Sequence, residues 1–285
     1  MNYTIIRRTT GLVLKFEAIF LLIPAVTGLL YRERAGLTYL ILALVYYVIG
    51  FLINLKRDTG MEFYTKEGFV SVALVWIVIS LCGALPFVLA GDIPRYIDAL
   101  FETVSGFTTT GASILEDPEG LSRGCMFWRL FTHWIGGMGV LVFIAAILPV
   151  SGDHYIHIMR AEVPGPTVSK LVPRVRKTAR ILYLIYMGLT ALECMLLLLG
   201  GMSFYEALLH SFATAGTGGF STRALSVGYF GSAYIDIVIG TFMLIFGVNF
   251  SLYYLLLIGS WRQALKNEEL RWYAGVIVFA VVTIA

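Results

Sequence analysis

Two segments of this chain align without a gap at a fixed separation. Residues 96–113, YIDALFETVSGFTTTGAS, and 204–221, FYEALLHSFATAGTGGFS, match at Ala99 with Ala207, Leu100 with Leu208, Thr109 with Thr217, Gly111 with Gly219 and Ser113 with Ser221, and set Asp98 against Glu206, always 108 residues apart. A constant offset marks an internal structural repeat. Each segment is moderately apolar, too short to cross a bilayer, and lies between two longer apolar runs. The repeated unit therefore reads helix, re-entrant loop, helix.

The longer runs fall at 11–30, 37–55, 68–90, 125–150, 178–201 and 233–258, with a seventh beginning near Tyr273. A spanning helix needs about 20 mostly apolar residues, so the bilayer is the main solvent. Composition agrees: 58% of the residues are hydrophobic and 14% charged, with a mean hydropathy of +0.82. Arg7 and Arg8 precede the first run, but it continues past a signal-peptide core and has no small-residue cleavage pattern, so it is read as retained. The fold class expected is an all-α polytopic membrane protein with re-entrant pore helices.

Lys and Arg concentrate at Lys56, Arg57 and Lys66, from Arg160 through Arg180, and at Arg262, Lys266 and Arg271. These loops are assigned to the cytoplasm, and the N-terminus with them. The loops holding both repeated segments then lie outside. Five parts are expected: an N-terminal transmembrane hairpin, 1–67; a first repeat, 68–150; a cytoplasmic linker, 151–177; a second repeat, 178–258; and a cytoplasmic loop with the start of a third repeat, 259–285. The seventh run is short of a span, so the chain is read as a fragment, against the alternative that two copies build one pore.

Non-helical backbone at membrane depth must have its polar groups satisfied by protein, water or a ligand. A Gly/Thr turn at the end of a short helix meets this need when its carbonyls face a dehydrated cation and the negative end of the helix dipole points the same way. The candidate filter is Thr108, Thr109, Thr110 and Gly111 with Gly216, Thr217, Gly218 and Gly219. Ser203 and Glu206 form an S-x-x-E capping box for the second short helix, and Asp92 with Pro94 offers a cap and first turn for the other. A loop that only packs helices is the competing reading. Two loops in register favour the pore.

The strings FETVSGFTTTGAS at 101–113, HWIGGMGVLVF at 133–143, HSFATAGTGGFSTR at 210–223 and FGVNFSLYY at 246–254 resemble the Trk/Ktr/HKT superfamily of potassium transporters, and more closely its bacterial TrkH branch. The resemblance covers essentially the whole chain, leading hairpin included. It implies four helix, pore loop, helix repeats around one pore, each with one key filter glycine, here matched by Gly111 and Gly219. The family's gating loop, within its third repeat, and its arginine below the filter, in the fourth, have no counterpart in this chain. It further implies potassium uptake across the bacterial inner membrane, with a TrkA-type nucleotide-binding regulatory subunit docked on the cytoplasmic face. A homodimer surrounded by membrane lipid is expected; potassium is the cargo and no cofactor is called for.

Other polar residues have bland readings. Glu193 sits inside the fifth run and is read as pairing with a neighbouring helix. Arg129 and His133 share a face near the outer end of the fourth run and suggest snorkelling or a hydrogen bond. Gly136, Gly137 and Gly139 suit close helix packing, and Asn249 a contact between helices. His154, His157 and His210 lack metal-ligand spacing, and Cys82, Cys125 and Cys194 lack a CxxC pattern. A net charge of +3, dispersed over loops, argues against nucleic-acid binding. An intramembrane enzyme would need a nucleophile or metal constellation at membrane depth, and HExxH does not occur. A passive channel and a proton- or sodium-coupled symporter remain equally compatible with the residues.

Overall fold

A computed structural model describes residues 3–55, 65–139 and 175–284, and over these the chain is all helical. In order, the helices are α1 (Tyr3–Leu30), α2 (Arg34–Ile53), α3 (Thr65–Ala90), α4 (Tyr96–Phe107), α5 (Arg123–Met138), α6 (Val175–Leu199), α7 (Phe204–Ala215), α8 (Ala233–Phe246), α9 (Phe250–Leu257), α10 (Trp261–Leu265) and α11 (Glu268–Ile284). Stretches within α1, α2, α3 and α6 are long and apolar enough to cross a bilayer. By contrast α4 and α7 have 12 residues each. At 1.5 Å per residue that is about 18 Å, well short of a bilayer core of about 30 Å. The chain is a membrane protein, and α4 and α7 are its two re-entrant helices.

Small residues let the helices approach. In the α1–α2 hairpin a Cβ at Gly28 would stand 2.7 Å from the Cα of Gly36, a separation that only paired glycines allow. The hairpin packs on α3 and α5, and Trp128 of α5 donates its indole N–H to the Gly83 carbonyl of α3 at 2.9 Å. One apolar core joins α1 to α5 with α7; a second joins α6, α7 and α8. Trp134 and Leu208 pack against both. The second re-entrant helix is thus wedged between the two halves.

The loops expected on the outer side gather at one end. Glu33 accepts from the N–H groups of Arg123 and Gly124, Asp92 binds the Ser122 N–H and hydroxyl, both at 2.8 Å, and Arg223 bridges Glu119 and Glu206. Asp92 therefore does not cap α4 as expected. Ser122 provides both an N–H and an O–H donor for its carboxylate, so Asp92 braces the start of α5, and Arg95 stands at the α4 N-cap without a side-chain capping hydrogen bond.

The run at 233–258, read as one span, is two helices bent by 90°. Gly247 ends α8, and Asn249 starts α9 by accepting from the Ser251 N–H at 3.0 Å. Asn249 also donates to Glu269 of α11 at 3.1 Å, and the Tyr273 hydroxyl donates to the Leu244 carbonyl at 2.9 Å. Local capping and two contacts from α11 override the apolar continuity. The seventh apolar run lies within α11, whose first turn at Glu268 precedes it. Residues 140–174, which hold most of the basic linker with His154 and His157, lie outside the described residues, as do Lys56 and Arg57.

Candidate ion filter

Both re-entrant helices end the same way. The Thr110 N–H reaches the Ser105 carbonyl at 2.9 Å and the Thr109 N–H reaches Gly106 at 3.0 Å; 108 residues on, the Gly218 N–H reaches Ala213 at 3.3 Å and the Thr217 N–H reaches Thr214 at 2.8 Å. These paired bonds are the Schellman pattern that closes a helix through one left-handed residue. That residue is Thr109, φ 55°, and Thr217, φ 56°. A β-branched residue at positive φ is a rare and strained choice, of the kind found where backbone shape serves a purpose. Two residues later Gly111, φ 76°, and Gly219, φ 78°, turn the backbone again.

This geometry sorts the polar groups. The N–H groups of residues 108–110 and 216–218 all point back into α4 and α7. Among the described residues, none of the carbonyls of 108–111 or 216–219 accepts a hydrogen bond. Carbonyls without an internal donor need water or another electropositive partner. The two turns also touch: the Gly218 carbonyl oxygen lies so close to Gly111 that a Cβ there would overlap it. All eight residues expected to form the filter thus belong to one matched pair of turns.

Side chains behind the turns repeat the match with different chemistry. In the first, Glu102 accepts from the Ser113 hydroxyl and the Ile114 N–H, both at 2.6 Å. In the second, the equivalent His210 places Nε2 3.0 Å from the equivalent Ser221 hydroxyl. Its Nδ1 lies 2.8 Å from the Glu206 carbonyl, which can only accept. Nδ1 therefore carries the proton, and Nε2 accepts from Ser221.

Arg129 of α5 links both turns. Its guanidinium is buried; it pairs with Glu102 at 2.9 Å, donates to the Ser113 hydroxyl at 3.0 Å, and donates to the Ser221 carbonyl at 3.0 Å. It also lies 3.8 Å from the centre of the Phe220 ring. His133, one helical turn on, stacks on that ring at 4.0 Å and 15°. Of the two readings for Arg129, snorkelling or a hydrogen bond, the second holds, and it takes the form of a buried ion pair because Glu102 supplies a counter-charge not singled out in the sequence. The available signal was that positions 102 and 210, equivalent under the repeat, are both polar within apolar helices.

The remaining candidates fall into packing roles. A Cβ at Gly136 would overlap the Phe107 carbonyl, and one at Gly137 would stand 3.0 Å from the Ala215 carbonyl, so these glycines seat α5 against both helix ends. The Ser203 hydroxyl accepts from the Glu206 N–H at 3.3 Å, the forward half of the capping box. Its return half is missing, since Glu206 receives the Ser203 hydroxyl and Arg223 instead. Glu193 is fully buried, but among the described residues no ion pair reaches it, against the expected partner. No cluster of metal-ligating side chains occurs among the described residues.

Comparison with known proteins settles the lineage. The family model for TrkH, described as a cation transport protein, matches residues 39–271. The chain belongs to the TrkH family. The Trk system potassium uptake protein TrkH of Escherichia coli K12 is 38% identical over 281 residues, covering 97% of this chain and 58% of that protein. The TrkG protein of the same strain is 32% identical, covering 98% and 60%. The crystal structure of the potassium transporter TrkH from Vibrio parahaemolyticus superposes with a TM-score of 0.83 at 34% identity, over 99% of this chain and 58% of that one. The chain thus spans under two thirds of the length of these relatives. TrkH family members are cation transporters rather than enzymes.

Proposed function

We propose that the chain contributes to potassium uptake across the bacterial inner membrane, through a pore whose filter includes the carbonyls of residues 108–111 and 216–219. One observation carries this reading. At two equivalent helix ends the N–H groups are consumed internally and the carbonyls are left free, at the negative ends of two helix dipoles. Oxygen atoms so arranged can replace the hydration shell of a monovalent cation. The potassium transport named for the relatives supports that choice of ion.

The N-terminus is assigned to the cytoplasm, so that both turns open outward. The chain divides into a hairpin, 1–67, a first repeat, 68–150, a linker, 151–177, a second repeat, 178–258, and the start of a third, 259–285. Homodimerisation and docking of a TrkA-type regulatory subunit are proposed on family membership. Two turns line only part of a ring, so further repeats or a second copy would complete it.

The test is expression of the intact transporter in cells lacking their own potassium import, with growth at low potassium and rubidium uptake as readouts. Uptake that follows the potassium gradient alone fits a passive pore. Dependence on a proton or sodium gradient fits the symporter. Absence of uptake at normal membrane abundance would refute the proposal.

A further inference from the structure

We propose that Arg129, together with Phe220 and His133, positions the second filter turn against the first and so helps set the selectivity of the pore without touching the ion. The proposal rests on the filter reading above. It starts from an asymmetry. Each turn is braced by its own helix, Glu102 to Ser113 and His210 to Ser221. Arg129 reaches both, through Glu102 and the Ser113 hydroxyl on one side and the Ser221 carbonyl on the other.

Phe220 follows Gly219 directly, so its ring reports where the second turn leaves the filter. One face of that ring meets the Arg129 guanidinium at 3.8 Å and His133 stacks on it at 4.0 Å. His133 also touches the turn itself: a Cβ at Gly218 would stand 2.7 Å from its Nε2, and one at Gly216 would stand 2.6 Å from its carbonyl oxygen. Arg129 and His133 are one turn apart on α5, and together they hold two filter residues and the ring beyond them. The Gly218 carbonyl, packed on Gly111, lies within this grip.

The guanidinium is well suited to the task. Its planar fork fixes directions to several acceptors at once while its flat face covers an aromatic ring. Lysine would keep the charge and lose both. A buried pair of this kind is weak evidence for stability, but it can specify one arrangement among several.

The experiment uses the intact transporter in cells without other potassium import, comparing rubidium and sodium uptake with surface abundance measured in parallel. Phe220→Leu keeps apolar volume and removes the flat face; Arg129→Lys keeps charge and removes the fork. Each is expected to lower the preference for rubidium over sodium about tenfold at normal abundance, roughly the change one displaced contact produces. The double variant should fall no further than the worse single variant, because both act on one clamp. If Arg129→Lys fails to reach the membrane, Phe220→Leu and His133→Leu still decide the matter. Unchanged preference in these variants would reduce the clamp to packing. Gly111→Ser is the control: if it shifts preference and the clamp variants do not, only the clamp proposal falls; if Gly111→Ser has no effect, the filter reading falls.

Discussion

Thr109 and Thr217 hold the same left-handed backbone, φ 55° and 56°, at equivalent positions of the two repeats. Left-handed threonine costs on the order of 1 to 2 kcal/mol relative to glycine. Thr109→Gly should therefore keep the turn and leave membrane abundance and ion preference near normal. Thr109→Pro fixes φ near −65° and removes the N–H that reaches Gly106, so it should abolish uptake. Rubidium uptake by both variants checks this; loss in the glycine variant would mean that the hydroxyl or methyl group matters in its own right.

At Gly111 strain and overlap coincide. Its φ of 76° disfavours any side chain, and a Cβ would press on the Gly218 carbonyl. Gly111→Ser should lower the preference for potassium over sodium with little change in insertion, at a backbone cost of about 1 to 3 kcal/mol. Competitive uptake of the two ions reads it directly. A normal ratio at normal abundance would make Gly111 a packing glycine.

Much of this arrangement is legible in the sequence, for a physical reason. Apolar length and the 108-residue offset are one-dimensional signals, and they locate α1, α2, α3, α6 and the two matched turns that end α4 and α7. The bend at Gly247 to Asn249 was hidden because apolar residues run straight through it, and its cause is in part contact with Glu269 and Tyr273 from another helix. The role of Arg129 was hidden likewise. Its charge suggested an interfacial position, whereas its partners, Glu102 at 27 residues and the Ser221 carbonyl at 92, are set by tertiary packing. Asp92 was misassigned for the same reason: its donor, Ser122, is distant in sequence and next to it in space.

Glu102 and Arg129 form the ion pair whose loss should be most costly. Removing one partner of a buried pair leaves an uncompensated charge, a penalty of about 3 to 5 kcal/mol. Glu102→Ala should lower the melting temperature of the detergent-solubilised protein sharply, and Glu102→Ala combined with Arg129→Leu should recover part of the loss. A double variant no more stable than Glu102→Ala would show that the guanidinium is satisfied by Ser113 and Ser221 alone.

The last prediction concerns pH at the end of the molecule where Arg223 meets Glu119 and Glu206. Burial pushes the Glu206 carboxyl up, but hydrogen bonds from Arg223 and Ser203 and the Arg223 charge outweigh it, and the net shift is below the ordinary glutamate value of 4.5. A carboxylate with a lowered folded-state value binds protons more weakly when folded than when unfolded. Its stabilising effect is therefore complete above the ordinary value and fades as pH falls through the lowered one. Glu206→Gln should melt at a lower temperature than the wild type at pH 7, and the two should converge as the buffer is taken below pH 4.5 toward the lowered value. Arg223 also holds Glu119 at 2.9 Å, so Glu206→Gln weakens the link without abolishing it, and the difference at pH 7 should be modest. Melting curves of both proteins across this range decide it. A gap that stays constant down to the acid end would mean that Glu206 acts through packing or through hydrogen bonds that glutamine does not reproduce, and not through its charge.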